Sequence, residues 1–331
     1  MSSLKFDRFP DISLKYGKNE LADYIELKCI EHKDKEFNFN DVLQIYSQEA
    51  IVDRDEDTET SDSEKNSTKY VEILETFDHL KSRLSLLSDY YPFEFIGKNT
   101  IKLSSLSDKN ILYIYLLLSS NTSHINDRSI PAKLTSSFER FSRTIMSFIY
   151  PNFVNELFGT GSISGELFNG GTRGERLNRL AECLNTALTE NEKKNPHNNE
   201  PGGDRGMDLV SFLQLDFDAC KVPFIPICLG QCSCSYDDWD KKQYSITNRV
   251  FTDFFVNVAV CHEYIFVPFS LRDIVGQWDE GIIPDIKTIA IDRFRLFSII
   301  KSKGANPYSI MPDNIQESMK TTLEQLDVKI P

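Results

Sequence analysis

Apolar residues never run long in this chain. The longest stretches, Ile111 to Leu118 and Tyr264 to Phe269, fall far short of the roughly 20 residues that span a bilayer, so no membrane protein is expected. Met1 to Asp7 mixes Ser, Lys and Asp without the apolar segment of a secretory signal, and a cytoplasmic location is the resulting expectation. Positive charge is also short: 37 Lys+Arg face 50 Asp+Glu, a formal charge of −13 over 331 residues. Such a chain has no general attraction for nucleic acid, so that function would need a local basic groove or a metal ion to offset the phosphates. The seven cysteines are an odd number and sit mostly within apolar runs, as buried free thiols do rather than a disulfide scaffold. The glycine cluster between Gly159 and Gly174 contains neither G-x-x-x-x-G-K-[ST] nor G-x-G-x-x-G, so no nucleotide-binding loop is assigned. No internal repeat is present.

What is there is a globular composition, 40% hydrophobic and 11% aromatic, in a chain long enough for two compact units. Residues 53 to 68, with seven acidic and two basic side chains and no apolar one, read as a solvated loop. Beyond it Tyr70, Ile73, Leu74, Phe77, Leu80, Leu84 and Leu87 recur every three or four positions, which predicts an amphipathic helix. Phe93 to Leu103 reads as two short strands about a Gly97-Lys98-Asn99 turn. Ser107 and Asp108 are candidate caps for an apolar helix over Asn110 to Leu118, and a further helix is expected from Ala132 to Tyr150, ended by Pro151. A helix over Arg173 to Leu188 is followed by a polar loop over Asn191 to Gly203. Strands are then expected at Met207 to Leu215, Val222 to Cys232, Tyr264 to Phe269 and Thr288 to Ile291, the last leading into a helix over Phe294 to Lys301. The expected division is a mostly helical region, 1 to 150, that serves partner or substrate binding, before an α/β unit, 151 to 331.

Chemistry concentrates between Gly202 and Lys242. Asp208 heads one strand, and Gln231 ends the next after an otherwise apolar run, Phe224 to Leu229. In an antiparallel pair, residues at similar distances from the turn lie opposite each other; Asp208 is ten before Asp218 and Gln231 thirteen after it, which brings the two close. Two oxygen donors at one end of a sheet suit Mg²⁺ (or Mn²⁺), which takes oxygen ligands and keeps several waters. A lysine nearby would stabilise developing negative charge.

An acid on one strand, then Glu or Gln, one residue and Lys on the next, resembles the core of the PD-(D/E)XK nuclease superfamily. "GGDRGMDLV" and "PICLGQCS...DDW..K" are similar in particular to a prokaryotic defence-associated group within it. That group reads Gly-Gly-hydrophobic-Asp-hydrophobic, then Leu-Gly-Gln-Cys-small, then Trp and Lys a turn apart. The likeness extends to Tyr91–Phe95, Leu157–Thr160, Ile265–Leu271 and Ile289–Leu296, although only Asp208 to Lys242 is chemically specific. The resemblance implies a restriction-endonuclease-like α/β/α core with a mixed sheet, Asp208 as principal metal ligand and Gln231 in the usual Glu position. Ser233 stands where the motif has Lys, and Lys242, one turn after Trp239, fits as the displaced lysine better than Lys241. A Glu from the preceding helix often assists; Glu175 and Glu182 are the options, and Glu175 is assigned. The implied activity is Mg²⁺-dependent DNA cleavage in anti-phage defence, alongside a partner such as a helicase or ATPase.

Plainer readings stand beside these. Cys228, Cys232 and Cys234 lack paired zinc knuckles and read as buried thiols, and no His base is spaced to activate them. Arg173, Arg176 and Arg179 recur along one flank of a helix, a solvated face and the candidate nucleic-acid contact; Arg293 and Arg295 offer the same chemistry. The missing lysine and the Glu-to-Gln exchange also admit a catalytically inactive nuclease-fold subunit that binds nucleic acid or a partner protein. A third possibility is a helical adaptor.

Overall fold

The computed structural model describes residues 5–6, 17–52, 62–127, 129–158, 166–200, 206–216, 221–259 and 261–328, and it is mixed α/β. The chain forms two compact units: residues 1–131, 269–284 and 306–331 make the first, and residues 132–268 with 285–305 the second. This division differs from the expected break at residue 150, because the helix before Pro151 belongs with the sheet that follows it and the C-terminal segment returns to the first unit. No helix among the described residues is long and apolar enough to cross a membrane.

The first unit contains α1 (Gly17–Glu31), β1 (Glu36–Asn38), α2 (Phe39–Val52), α3 (Asp62–Leu87), β2 (Phe93–Phe95), β3 (Thr100–Leu103) and α4 (Ile111–Ser120). It is completed by a C-terminal helix, Asp313–Gln325. The hairpin about Gly97 forms as expected, with Gly97 at φ +68°, and β3 pairs with β1 on its other edge, giving an antiparallel sheet in the order β1-β3-β2. Of the acidic stretch, residues 53–61 lie outside the described residues, whereas 62–68 begin α3 rather than a loop. The cap of α4 is also different: Asn110, not Ser107 or Asp108, sits at the N-cap position, and its side chain accepts a bond from the Ser107 N–H.

At the centre of this unit Arg83 of α3, 1% exposed, donates to Asp23 (2.6 Å) and Glu26 (3.0 Å) of α1. Glu26 also accepts from the hydroxyls of Tyr91 and Tyr113. Burying three charges is costly unless each is paired, and here each carboxylate has more than one donor. His79 lies one turn away, buried and bonded to the Asn19 side-chain oxygen. Burial first, then the Arg83 charge, pushes its imidazole down to about 3.

The second unit contains α5 (Ser129–Ile149), β4 (Val154–Leu157), α6 (Arg173–Cys183), α7 (Glu190–Lys193), β5 (Leu209–Phe212), β6 (Ile227–Cys232), α8 (Trp239–Lys242), α9 (Asn248–Phe254), β7 (His262–Phe266), β8 (Ile289–Ile291) and α10 (Arg293–Ser302). Its sheet has the order β4-β5-β6-β7-β8, antiparallel from β4 to β6 and parallel from β6 to β8. Strand alternation puts Val210, Phe212, Ile227 and Leu229 on one face, in a core with Leu177 and Leu180 of α6 and Phe251 and Phe254 of α9. On the other face the hydroxyls of Thr135 and Ser142 of α5, and of Tyr150 just after it, stand against the thiols of Cys234, Cys232 and Cys228. Helix α6 stops five residues short of expectation because Asn185 takes a left-handed conformation, φ +55°, and Leu188 bridges to Phe255. The polar loop after it carries α7 and a 3₁₀ turn at Pro196–Asn199.

The lowered His79 pKa gives a signed expectation. The unfolded state binds a proton at this site near pH 6.5 and the folded state only near pH 3, so stability is full above 6.5 and is lost as pH falls through that window, by about 1.4 kcal/mol per unit. Urea unfolding of the first unit's signal between pH 7 and 4 should show this slope, and His79→Gln should flatten it.

Candidate active site

Asp208 is placed by backbone bonds on both sides. Its N–H donates to Gly230 O (3.0 Å) and its C=O accepts from Phe158 N–H (2.8 Å), so it continues the β4-β5-β6 ladder one residue ahead of β5. Leu209 lies opposite Gly230 in the antiparallel register, which sets Asp208 opposite Gln231. The expected proximity is present: Gln231 Nε2 donates to Asp208 Oδ2 at 2.8 Å, and the Cys232 N–H donates to the same oxygen at 2.7 Å. Both side chains are nearly sealed, Asp208 7% and Gln231 5% exposed.

The approach to this pair depends on one glycine. Gly206 holds φ +80°, and a Cβ there would collide with the Ser245 hydroxyl and stand 3.0 Å from Gln231 Oε1. That Oε1 is buried without a hydrogen-bond partner. The amide nitrogen must face the carboxylate, so the oxygen is turned away from it; an orphaned buried carbonyl of this kind costs about 1–3 kcal/mol. It is an oxygen donor of the type Mg²⁺ takes, carried on an amide whose nitrogen holds a carboxylate. Among the described residues no three His, Cys, Asp or Glu side chains gather closely enough to hold a metal ion; Asp208 and Gln231 bring together one carboxylate and one amide.

Beyond Gln231 the strand runs on to Ser233, whose N–H donates to Phe266 O (3.0 Å). The Ser233 hydroxyl donates to Asp238 Oδ1 (3.0 Å), and Asp238 Oδ2 faces Lys242 Nζ at 3.7 Å. Lys241 is exposed, whereas Lys242 is half-buried on α8, which is anchored by the fully buried Trp239. The Cys234 thiol registers the electrostatics here. Its pKa is pushed up to about 12, by burial first and by the Glu139 and Asp208 charges, against the opposing pull of Lys242 and of a Thr135 hydrogen bond.

Glu139 was not among the expected site residues. It lies on α5 between Thr135 and Ser142, and its charge also acts on Cys232. The signal was a polar stripe, Thr135, Glu139 and Ser142, beside the apolar one on the same helix. Glu175, the assigned helper, is instead committed to a cap: its carboxylate accepts from Thr172 N–H (2.7 Å) while the Thr172 hydroxyl accepts from Glu175 N–H, a capping box at the start of α6.

The arginine flank is not a solvated face. Arg173 is 2% exposed and donates to Glu192 (2.5 Å) and Asn198 (2.7 Å), and Arg176 is 3% exposed and donates to Gly171 O. Arg179 is half-buried and donates to Gly170 O (2.7 Å). These side chains tie α6 to the segments around it. Likewise Arg293 is fully buried on Pro268 O and Arg295 donates to Ala290 O. Cys228, Cys232, Cys234 and Cys261 are buried free thiols with raised pKa values, as expected, and Cys220 lies outside the described residues.

The capping role has a simple consequence. Glu175→Ala should lower stability by about 0.5–2 kcal/mol in chemical denaturation and leave divalent-metal binding at the wild-type level. Comparisons with protein families, curated proteins and solved structures find no match to this chain.

Proposed function

We propose that this protein is a metal-dependent nuclease of the PD-(D/E)XK kind, acting on DNA in prokaryotic anti-phage defence. The observation that carries the reading is the Asp208–Gln231 contact at the end of an antiparallel strand pair, with Gln231 Oε1 buried and unpartnered and Lys242 on the helical turn that follows. The sheet supports it: three antiparallel strands, then a parallel crossover through helix, with helices against both faces, is the arrangement a restriction-endonuclease-like core requires. The motif resemblance, with Asp208, the Leu229-Gly230-Gln231-Cys232-Ser233 run and Trp239 to Lys242, supplies the reaction class.

Asp208 and Gln231 are the residues that would hold Mg²⁺ or Mn²⁺. Such an ion, when bound, neutralises phosphate charge and lowers the pKa of water. The protein's own groups do the rest. Cys232 N–H keeps the Asp208 carboxylate pointed, and the Gly206 turn packs against the Gln231 amide and Ser245, where a Cβ would not fit. The Lys242 ammonium balances negative charge on the phosphoryl oxygens. With a net charge of −13 and Arg173, Arg176 and Arg293 buried, the chain attracts a polyanion poorly alone. Delivery by a partner, such as a helicase or ATPase of the same system, fits this charge.

A second reading, an inactive nuclease-fold subunit, is favoured by one observation: Ser233 replaces the motif lysine and its hydroxyl is occupied by Asp238. Plasmid DNA with Mg²⁺ or Mn²⁺ at low salt distinguishes the two. The proposal predicts nicking or linearisation by the wild type and a loss of about 100-fold or more in Asp208→Ala, with Lys242→Ala also impaired. Equal cutting by wild type and Asp208→Ala would overturn the site, and no cutting of DNA or RNA by the wild type would establish the inactive reading.

A further inference from the structure

We propose that Asp238 is a positioning residue that holds the Lys242 ammonium at the end of β6, anchored there by Ser233. The inference rests on the reading of Asp208, Gln231 and Lys242 given above and extends it to residues that reading does not use.

Ser233 is fully buried and is locked into the ladder by its bond to Phe266 O, so its hydroxyl has a fixed position relative to Gln231 two residues earlier. That hydroxyl holds one oxygen of Asp238 at 3.0 Å, and the other oxygen faces Lys242 at 3.7 Å. Asp238 also begins α8 with its main chain, its C=O accepting from Lys241 N–H (3.1 Å) and Lys242 N–H (3.0 Å). One residue thus fixes both the first turn of the helix and the side chain on it.

The backbone beneath Lys242 is immobilised from the other side by Gln243. This fully buried amide donates to Asp285 O (2.9 Å) and accepts from Lys287 N–H (2.9 Å) and Thr288 N–H (3.1 Å), and the Ser245 hydroxyl donates to Lys242 O (2.6 Å). With the main chain held at both ends, the freedom left is in the four-carbon stem of the lysine, and only a charged partner restricts it. An ordinary exposed i,i+4 pair does little of this kind. Asp238 differs because its second oxygen is tied to a buried strand residue.

The test uses reductively ¹³C-methylated full-length protein, which keeps lysine charged, with Lys242→Arg identifying the resonance. In the wild type Mn²⁺ should broaden the Lys242 signal, and Asp208→Ala should abolish that broadening. Asp238→Asn, which keeps the shape and an oxygen for the Ser233 hydroxyl, should reduce the broadening several-fold at unchanged Mn²⁺ affinity and lower kcat about 10-fold with KM little altered. Asp238→Glu should recover part of both. Unchanged broadening and kcat in a folded Asp238→Asn protein would overturn the role of Asp238 alone. Absence of any Asp208-dependent broadening in the wild type would overturn the metal reading and this role with it.

Discussion

A carboxylate that is 7% exposed has given up nearly all its water, so the protein must solvate it or expel it. Asp208 is solvated by an amide N–H from Gln231 and a backbone N–H from Cys232, both on β6. That arrangement exists only in one register of β5 against β6, since a slip by one residue would turn Asp208 to the opposite face. The register is in turn held by Val210 and Phe212 meeting Leu229 and Ile227 in the core shared with α6 and α9. The site is therefore the polar end of a hydrophobic ladder.

The same strand is where the sheet changes character. β6 is antiparallel to β5 and parallel to β7, so the end of β6, the start of β5 and the end of β7 share one edge. Ligands of open α/β sheets gather at such a change of direction, outside the carboxyl ends of the parallel strands. Here that edge carries Asp208, Gln231 and Ser233, and the chain leaving it forms the turn with Asp238 and Lys242. The other conspicuous charges serve packing. Arg173 and Arg176 brace α6, and Arg83 balances two buried carboxylates in the first unit.

The Asp208–Gln231 contact was legible because counting from a turn is enough to pair residues in a hairpin, whatever the rest of the fold does. The 93–103 hairpin, the helices of residues 70–87 and 132–150, and the buried thiols were legible from local pattern in the same way. β4 was not, since Val-Asn-Glu-Leu is too polar to read as a strand and is specified by pairing with β5. Arg173 read as exposed because its partners, Glu192 and Asn198, come from a segment whose position no periodicity reveals. Glu175 is a different case: Thr172 three residues earlier is a capping-box signal legible in the sequence, and the cap is where the carboxylate is committed. Glu139 and Asp238 depend on how α5 and α8 meet the sheet, which one sequence does not encode locally.

Asp208 and Gln231 together form the proposed divalent-metal site. Calorimetric titration of Mn²⁺ into the wild type, Asp208→Asn and Gln231→Leu measures this without reference to any substrate. One binding site in the wild type that is lost in Asp208→Asn and weakened in Gln231→Leu is the predicted result; the same binding in all three proteins would contradict it.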